Sequence, residues 1–215
     1  MIGHRAAVLA VVGSAISLAH ADTLVTDATR PWETCAECHS LDGISAMARF
    51  PKLAGQREGY IAKQVRDIRD GRRANDGGQM AATAGEVSDD DLAKSAAYFA
   101  GLAPPAPDAS LATDTQEWRR GAALYRDGDA AAGITPCSSC HDDASPARDD
   151  APLLKAQHAA YLGKQLRDWR SGERRNDVTE AMPAIAAKLS ERDISALATF
   201  LASQPRSRPN GDAAQ

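Results

Sequence analysis

The strongest constraint on this chain is that it is written twice. Cys35-Ala-Glu-Cys38-His39 returns as Cys137-Ser-Ser-Cys140-His141, displaced by 102 residues. Gln56-x3-Tyr60-x3-Gln64-x-Arg66-Asp67 returns at an offset of 101 as Gln157-x3-Tyr161-x3-Gln165-x-Arg167-Asp168. Gly71-x-Arg73-x-Asn75-Asp76 pairs with Gly172-x-Arg174-x-Asn176-Asp177, and Met80 pairs with Met182. Anchors repeated in one order mean two copies of one unit, each about 100 residues long, which is a usual domain size. Gly101 to Asp108, with three prolines, separates the copies as a semi-extended spacer.

The start of the chain has the form of an export signal. A basic beginning with Arg5 precedes a thirteen-residue, mostly apolar run from Ala6 to Leu18, and Ala19-His20-Ala21 is a small-x-small cleavage pattern. The expected layout is therefore a signal peptide over 1–21, a first domain over 22–102, a linker over 103–112, a second domain over 113–204 and a flexible tail over 205–215. Export implies the periplasm, an oxidising compartment in which idle thiols would pair. The run is shorter than a bilayer span requires. A net charge of −4 supplies no basic stripe for nucleic acid.

Periodicity predicts an all-α fold. Tyr60, Ile61, Val65 and Ile68 share one helix face, as do Tyr161, Leu162, Leu166 and Trp169, and these helices should stop near Gly71 and Gly172. A later helix in each copy begins with a capping serine, Ser88 or Ser190, three residues before Asp91 or Asp193. Leu92, Ala96 and Phe99 then face the core, mirrored by Ile194, Ala198 and Leu201. The second copy has a leading helix over about Thr115 to Tyr125; its counterpart in the first is short and carries Pro31.

Cys-x-x-Cys-His suits covalent attachment of haem, with two thioethers from the cysteines and one axial histidine. Cys35 and Cys38 with His39, and Cys137 and Cys140 with His141, would thus hold two haem c groups, one per domain. A four-cysteine zinc site would need both halves to converge and leaves the histidines unexplained. Two Cys-x-x-Cys disulfides are a further alternative, but they lack the βαβ setting of redox dithiols. For the sixth iron position, Met80 and Met182 each lie 45 residues after the first cysteine of their copy; ordinary core packing is the competing explanation. Met47 has no partner in the second copy and is placed near a haem edge, while His158, aligned with Arg57, is taken as a surface helix residue. Paired His39/Met80 and His141/Met182 ligation closes both irons and favours a carrier over a peroxidase or gas sensor.

The tandem order of these motifs, with Pro51-Lys-Leu-Ala-Gly-Gln56 between them, resembles the dihaem cytochrome c4 family of bacterial periplasms. The resemblance spans about Thr23 to Gln204. It implies two all-α class I cytochrome c domains that face each other, each wrapped around its haem, and an electron carrier rather than an enzyme. It further implies that the carbonyls of Pro51 and Pro152 accept from the histidine Nδ1–H. Arg73 and Arg174 become candidates for pairing with haem propionates, although a solvated helix end would also explain them. Expected partners are redox proteins, such as a terminal oxidase or an upstream cytochrome or dehydrogenase, with at most peripheral association with the inner membrane. The alternative role is the cytochrome subunit of a periplasmic dehydrogenase complex. Departures from the family pattern are the clipped first helix, Ser40 after the first motif, and Leu154-Lys155-Ala156 in place of Leu53-Ala54-Gly55.

Only ten of 215 residues are aromatic, so a large flat apolar group in each half would supply core that side chains lack. A cysteine-free variant, unable to attach haem, is expected to lack a cooperative thermal transition by calorimetry.

Overall fold

The computed structural model describes residues 30–144 and 149–207. The expected signal segment and the tail beyond residue 207 lie outside the described residues.

The described residues are helical, with one isolated bridge between Asp129 and Ile134. The first half comprises α1 (Glu33–His39), α2 (Glu58–Arg69), α3 (Gln79–Glu86) and α4 (Asp89–Gly101). The second comprises α5 (Gln116–Arg126), α6 (Ser138–His141), α7 (Ala159–Ser171), α8 (Ala181–Ala186) and α9 (Glu191–Ala202). The repeated anchors fall on equivalent elements: α1 with α6, α2 with α7, α3 with α8, and α4 with α9. None of these described helices is long and apolar enough to cross a membrane.

Local chemistry sets the helix boundaries. The Ser88 and Ser190 side chains accept from the amides of Asp91 and Asp193 at 3.1 Å, satisfying otherwise orphaned donors. The reciprocal arm, from the serine amide to the aspartate carboxylate, closes at Ser190. Thr115 caps α5 on the Trp118 amide, and α7 ends on Gly172 at φ 78°.

Each half has its own core. Ile61, Ala62, Leu92, Ala96 and Phe99 form the first; Leu124, Tyr125, Ile194, Leu197, Phe200 and Leu201 lead the second. In the second, α5 lies directly on α9, with Trp118 edge-on to Phe200 at 5.1 Å between centroids. In the first, the described residues set Trp32 flat against Tyr98 of α4 at 4.4 Å. Among the described residues, the Trp32 indole thus covers part of the α4 face, while α5 covers the equivalent α9 face.

Between the halves the chain stays extended, with Pro105 buried and the Asp108 amide donating to Ala202 O at 2.9 Å. The start of the segment expected to be a flexible tail is docked. Arg206 is buried and donates to Lys155 O, Ala54 O and Leu153 O, bridging both halves.

The departure at Ala156 has a backbone consequence. Gly55 and Ala156 occupy the same left-handed turn, at φ 63° and 56°, and their amides donate to Phe99 O and Leu201 O, both at 2.9 Å. A side chain in this region costs about 1–2 kcal/mol, so the second half carries strain that the first avoids.

The α5–α9 crossing depends on Gly121. A Cβ there would lie 2.1 Å from Ala196 O, which is backbone and cannot rotate away. Gly121→Ala is expected to cost the second domain about 1–3 kcal/mol, through forced separation of the two helices, measured by denaturant unfolding of the haem-loaded protein.

Candidate haem sites

Each motif runs through a short helical stretch, Cys137 being the residue just before α6, so its two cysteines, three apart, share a face and its histidine follows the second. Cys35 and Cys137 are half-buried and pack on the edges of their cores, whereas Cys38 and Cys140 are exposed. Burial pushes the Cys137 thiol up to about 11 and raises that of Cys35. Both positions therefore favour uncharged sulfur, as a thioether is. His39 and His141 are buried. His39 Nδ1 lies 2.9 Å from Pro51 O, and His141 Nδ1 lies 2.7 Å from Pro152 O. A carbonyl accepts only, so each Nδ1 carries the proton and Nε2 is the nitrogen suited to a metal. Burial, the largest influence on His39, lowers its pKa and favours this neutral form.

Met80 and Met182 are both half-buried, Met80 in the first turn of α3 and Met182 in α8. Their backbones are anchored alike: the Met80 amide donates to Asp76 at 2.7 Å and the Met182 amide to Asp177 at 2.8 Å. The same carboxylates accept from Gly78 N and Thr179 N. Both aspartates are repeat anchors with no role assigned from sequence. Met47 is 49% exposed.

All four cysteines are unpaired, and no cluster of three or more His, Cys, Asp or Glu that could hold a metal forms among the described residues. The two motifs remain separate, which disfavours a shared four-cysteine site. Two thiols and an oriented imidazole per helix, with half-buried Leu53 and Val65 beside one core and Leu154 and Leu166 beside the other, fit a covalently attached haem.

Between the halves runs a buried polar seam built by α2, α7 and the turns after them. Arg73 donates to Gln64 and across to the Tyr161 hydroxyl; Arg174 donates to Gln165 and across to Gln64 and Tyr60. Asn75 donates to Gln165 and Asp168, and Asn176 to Gln64 and Asp67. Lys63 reaches Asn176 O and Lys164 reaches Asn75 O. Arg73 and Arg174, the candidate propionate partners, are thus buried with their nitrogens donating into this seam. His158 is also drawn in: it stands just before α7, is half-buried, and its Nε2 lies 2.8 Å from Ser45 O in the other half. Aligned Arg57 is buried and donates to Ala151 O and Asp142 O.

Cytochrome c4 from Pseudomonas aeruginosa is 42% identical over 172 residues, covering 78% of this chain and 82% of that protein. The chain belongs to the cytochrome c4 family. A family model described as cytochrome c oxidase, cbb3-type, subunit III, matches residues 116–201. The structure of reduced recombinant cytochrome c4 from Pseudomonas stutzeri superposes with a TM-score of 0.65 at 36% identity, covering 79% of this chain and 92% of that one. A thiosulfate dehydrogenase electron acceptor from Stutzerimonas stutzeri is 37% identical over 171 residues, covering 78% and 77%. The fold is accordingly all-α with two tandem cytochrome c domains, and the chain is a cytochrome c4-type, haem c-containing electron carrier.

The seam has an acid limit. Burial pushes the Asp67 carboxyl up, but hydrogen bonds from Lys63, Asn176 and Arg72 outweigh it and hold the group below its ordinary value. Its stabilisation is therefore full above the unfolded carboxylate pKa of about 3.9 and is lost as pH falls through the lower folded value. Two-domain melting should lose coupling on acidification below about pH 4, and Asp67→Asn should remove that part of the pH dependence in calorimetric scans.

Proposed function

We propose that this protein is a periplasmic dihaem electron carrier, exported by residues 1–21, with cytochrome domains over 22–102 and 113–204 joined by the 103–112 linker. One haem would be held by Cys35 and Cys38, with His39 and Met80 supplied to its iron, and the other by Cys137 and Cys140, with His141 and Met182. The observation that carries this reading is duplicated geometry: twice, a motif histidine gives Nδ1 to a proline carbonyl while an aspartate anchors the methionine backbone.

Bound haem supplies a one-electron iron couple; the chain's residues fix its ligands. Pro51 and Pro152 orient the imidazoles, and Asp76 and Asp177 limit movement of the methionine backbones, so reduction needs little rearrangement. Thioether ligands from Met80 and Met182 would favour the reduced iron relative to a second imidazole. Arg73 and Arg174 are assigned to propionates only through guanidinium hydrogens that the seam leaves over.

The donor is a second question. Similarity to thiosulfate dehydrogenase electron acceptors supports service to a periplasmic dehydrogenase. A thiosulfate dehydrogenase from Marichromatium purpuratum matches this chain over 36% of its own length, with a TM-score of 0.69. That match suits a cytochrome unit that works either alone or joined to an enzyme, with terminal oxidases among the acceptors.

The oxidised protein should show the weak near-infrared methionine–iron band, bind two haems per chain and resist carbon monoxide when reduced. Met182→Ala should open the second site to carbon monoxide and lower its potential in a redox titration. Asp177→Ala should leave the haem attached but raise carbon monoxide binding at that site. An unchanged titration for Met182→Ala removes Met182 from the ligands.

A further inference from the structure

Gln56 and Gln157 precede the residues that cap α2 and α7, and each reaches across the seam. Gln157 Oε1 accepts from Lys52 N at 2.9 Å while its Nε2 donates to Lys52 O at 2.9 Å. Gln56 makes the same pair with Leu153, at 2.8 and 3.0 Å. Each acceptor oxygen is steadied at home, by His158 N and Arg57 N respectively, both at 3.0 Å. Both glutamines are buried.

The contacted amides are special. Lys52 N–H belongs to the same peptide unit as Pro51 C=O, which accepts from His39. Leu153 N–H belongs to the same unit as Pro152 C=O, which accepts from His141. A peptide group is one delocalised system, so an acceptor on its N–H makes its carbonyl oxygen more negative and a stronger acceptor. A stronger acceptor on Nδ1–H makes the imidazole a more electron-rich ligand. We infer that Gln157 and Gln56 are positioning residues that tune the haem of the opposite domain through one polarised peptide: Gln157 acts on the His39 site and Gln56 on the His141 site. This rests on the haem ligation proposed above.

The direction follows from the chemistry. An electron-rich histidine stabilises ferric iron, so removing the glutamine weakens the carbonyl's pull and raises the potential of the haem across the seam. Simple loosening of the interface has the opposite sign, because letting water reach a haem favours the more charged ferric state and lowers its potential.

The test is a stepwise redox titration of the full haem-loaded chain and of two near-isosteric variants, with haem signals assigned by NMR. Gln157→Met should raise the potential of the haem on Cys35 and Cys38 and leave the other unchanged; Gln56→Met should do the reverse. Lys164→Met, which disturbs the seam away from both peptides, should raise neither. A fall, a shift in both haems, or a shift confined to the variant's own domain overturns the inference. If a variant fails to load haem, amide exchange in the native protein decides: Lys52 and Leu153 amides should be as protected as helix interiors, and rapid exchange overturns it. A native protein without covalent haem would instead refute the proposed ligation, while amide exchange would still report whether the glutamine bonds exist.

Discussion

Charge cannot be buried without partners, and the two halves of this chain meet over buried arginines and aspartates. Arg73, Arg174, Asp67 and Asp168 are each at most 8% exposed, and leaving any of them unpaired would be strongly destabilising. No half satisfies its own set. Gln64 Oε1 receives hydrogens from Arg73 on its own side and from Arg174 and Asn176 on the other. An apolar interface would tolerate sliding, but this one pairs donors and acceptors at a single register. The mutual position of the two haem sites follows from that register, since the Pro51–Lys52 and Pro152–Leu153 peptides are pinned by the same contact.

The pseudo-symmetry is broken where it bears on the sites. Arg57 brings a guanidinium to carbonyls within and just after the second motif, Cys140 O at 3.4 Å and Asp142 O at 2.9 Å. Its counterpart His158, its pKa lowered first of all by burial, meets Ser45 O in the first half. The two sites thus meet different cations: Arg57 of the first half lies beside the second, while Lys52 follows Pro51 and Arg49 stacks on the Phe50 ring that packs on His39 at the first. The α5–α9 pair against the Trp32–Tyr98 stack adds a second difference, in packing. Two units of common pattern are therefore given unequal surroundings.

What was legible in the sequence was local. Helix faces, serine caps and the cysteine–histidine turns depend on spacings of a few residues, and Ser190 with Asp193 closes its box for the same reason. The seam was not legible, because nothing in Gln56 indicates that it lies against Leu153, 97 residues away. Its residues were visible as repeats, but repetition alone does not distinguish a solvated helix face from an interface. Arg73 and Arg174 illustrate this: the family resemblance made them candidates for haem propionates, and in the structure they donate to side chains of both halves. His158 looked like surface because its aligned partner is Arg57, yet both turn inward across the seam. Arg206 offered no signal, being one of two arginines, with Arg208, in a segment without periodicity.

The same seam explains how the second half tolerates Ala156 in a left-handed turn. Strained backbone survives only where its surroundings over-determine it, and here the chain is held from several sides. Leu201 O binds the Ala156 amide, Lys52 of the first half binds the Ala156 carbonyl at 2.9 Å, and Arg206 binds Lys155 O. One of those contacts comes from the opposite domain and one from the C-terminal segment. The turn immediately precedes Gln157, so the contacts that contain the strain also fix where that glutamine begins its reach. Gly55 avoids the side-chain cost and sits against Pro104, where a Cβ would come within 3.0 Å. In the first half the linker's approach favours glycine; in the second, cross-domain hydrogen bonds make alanine tolerable.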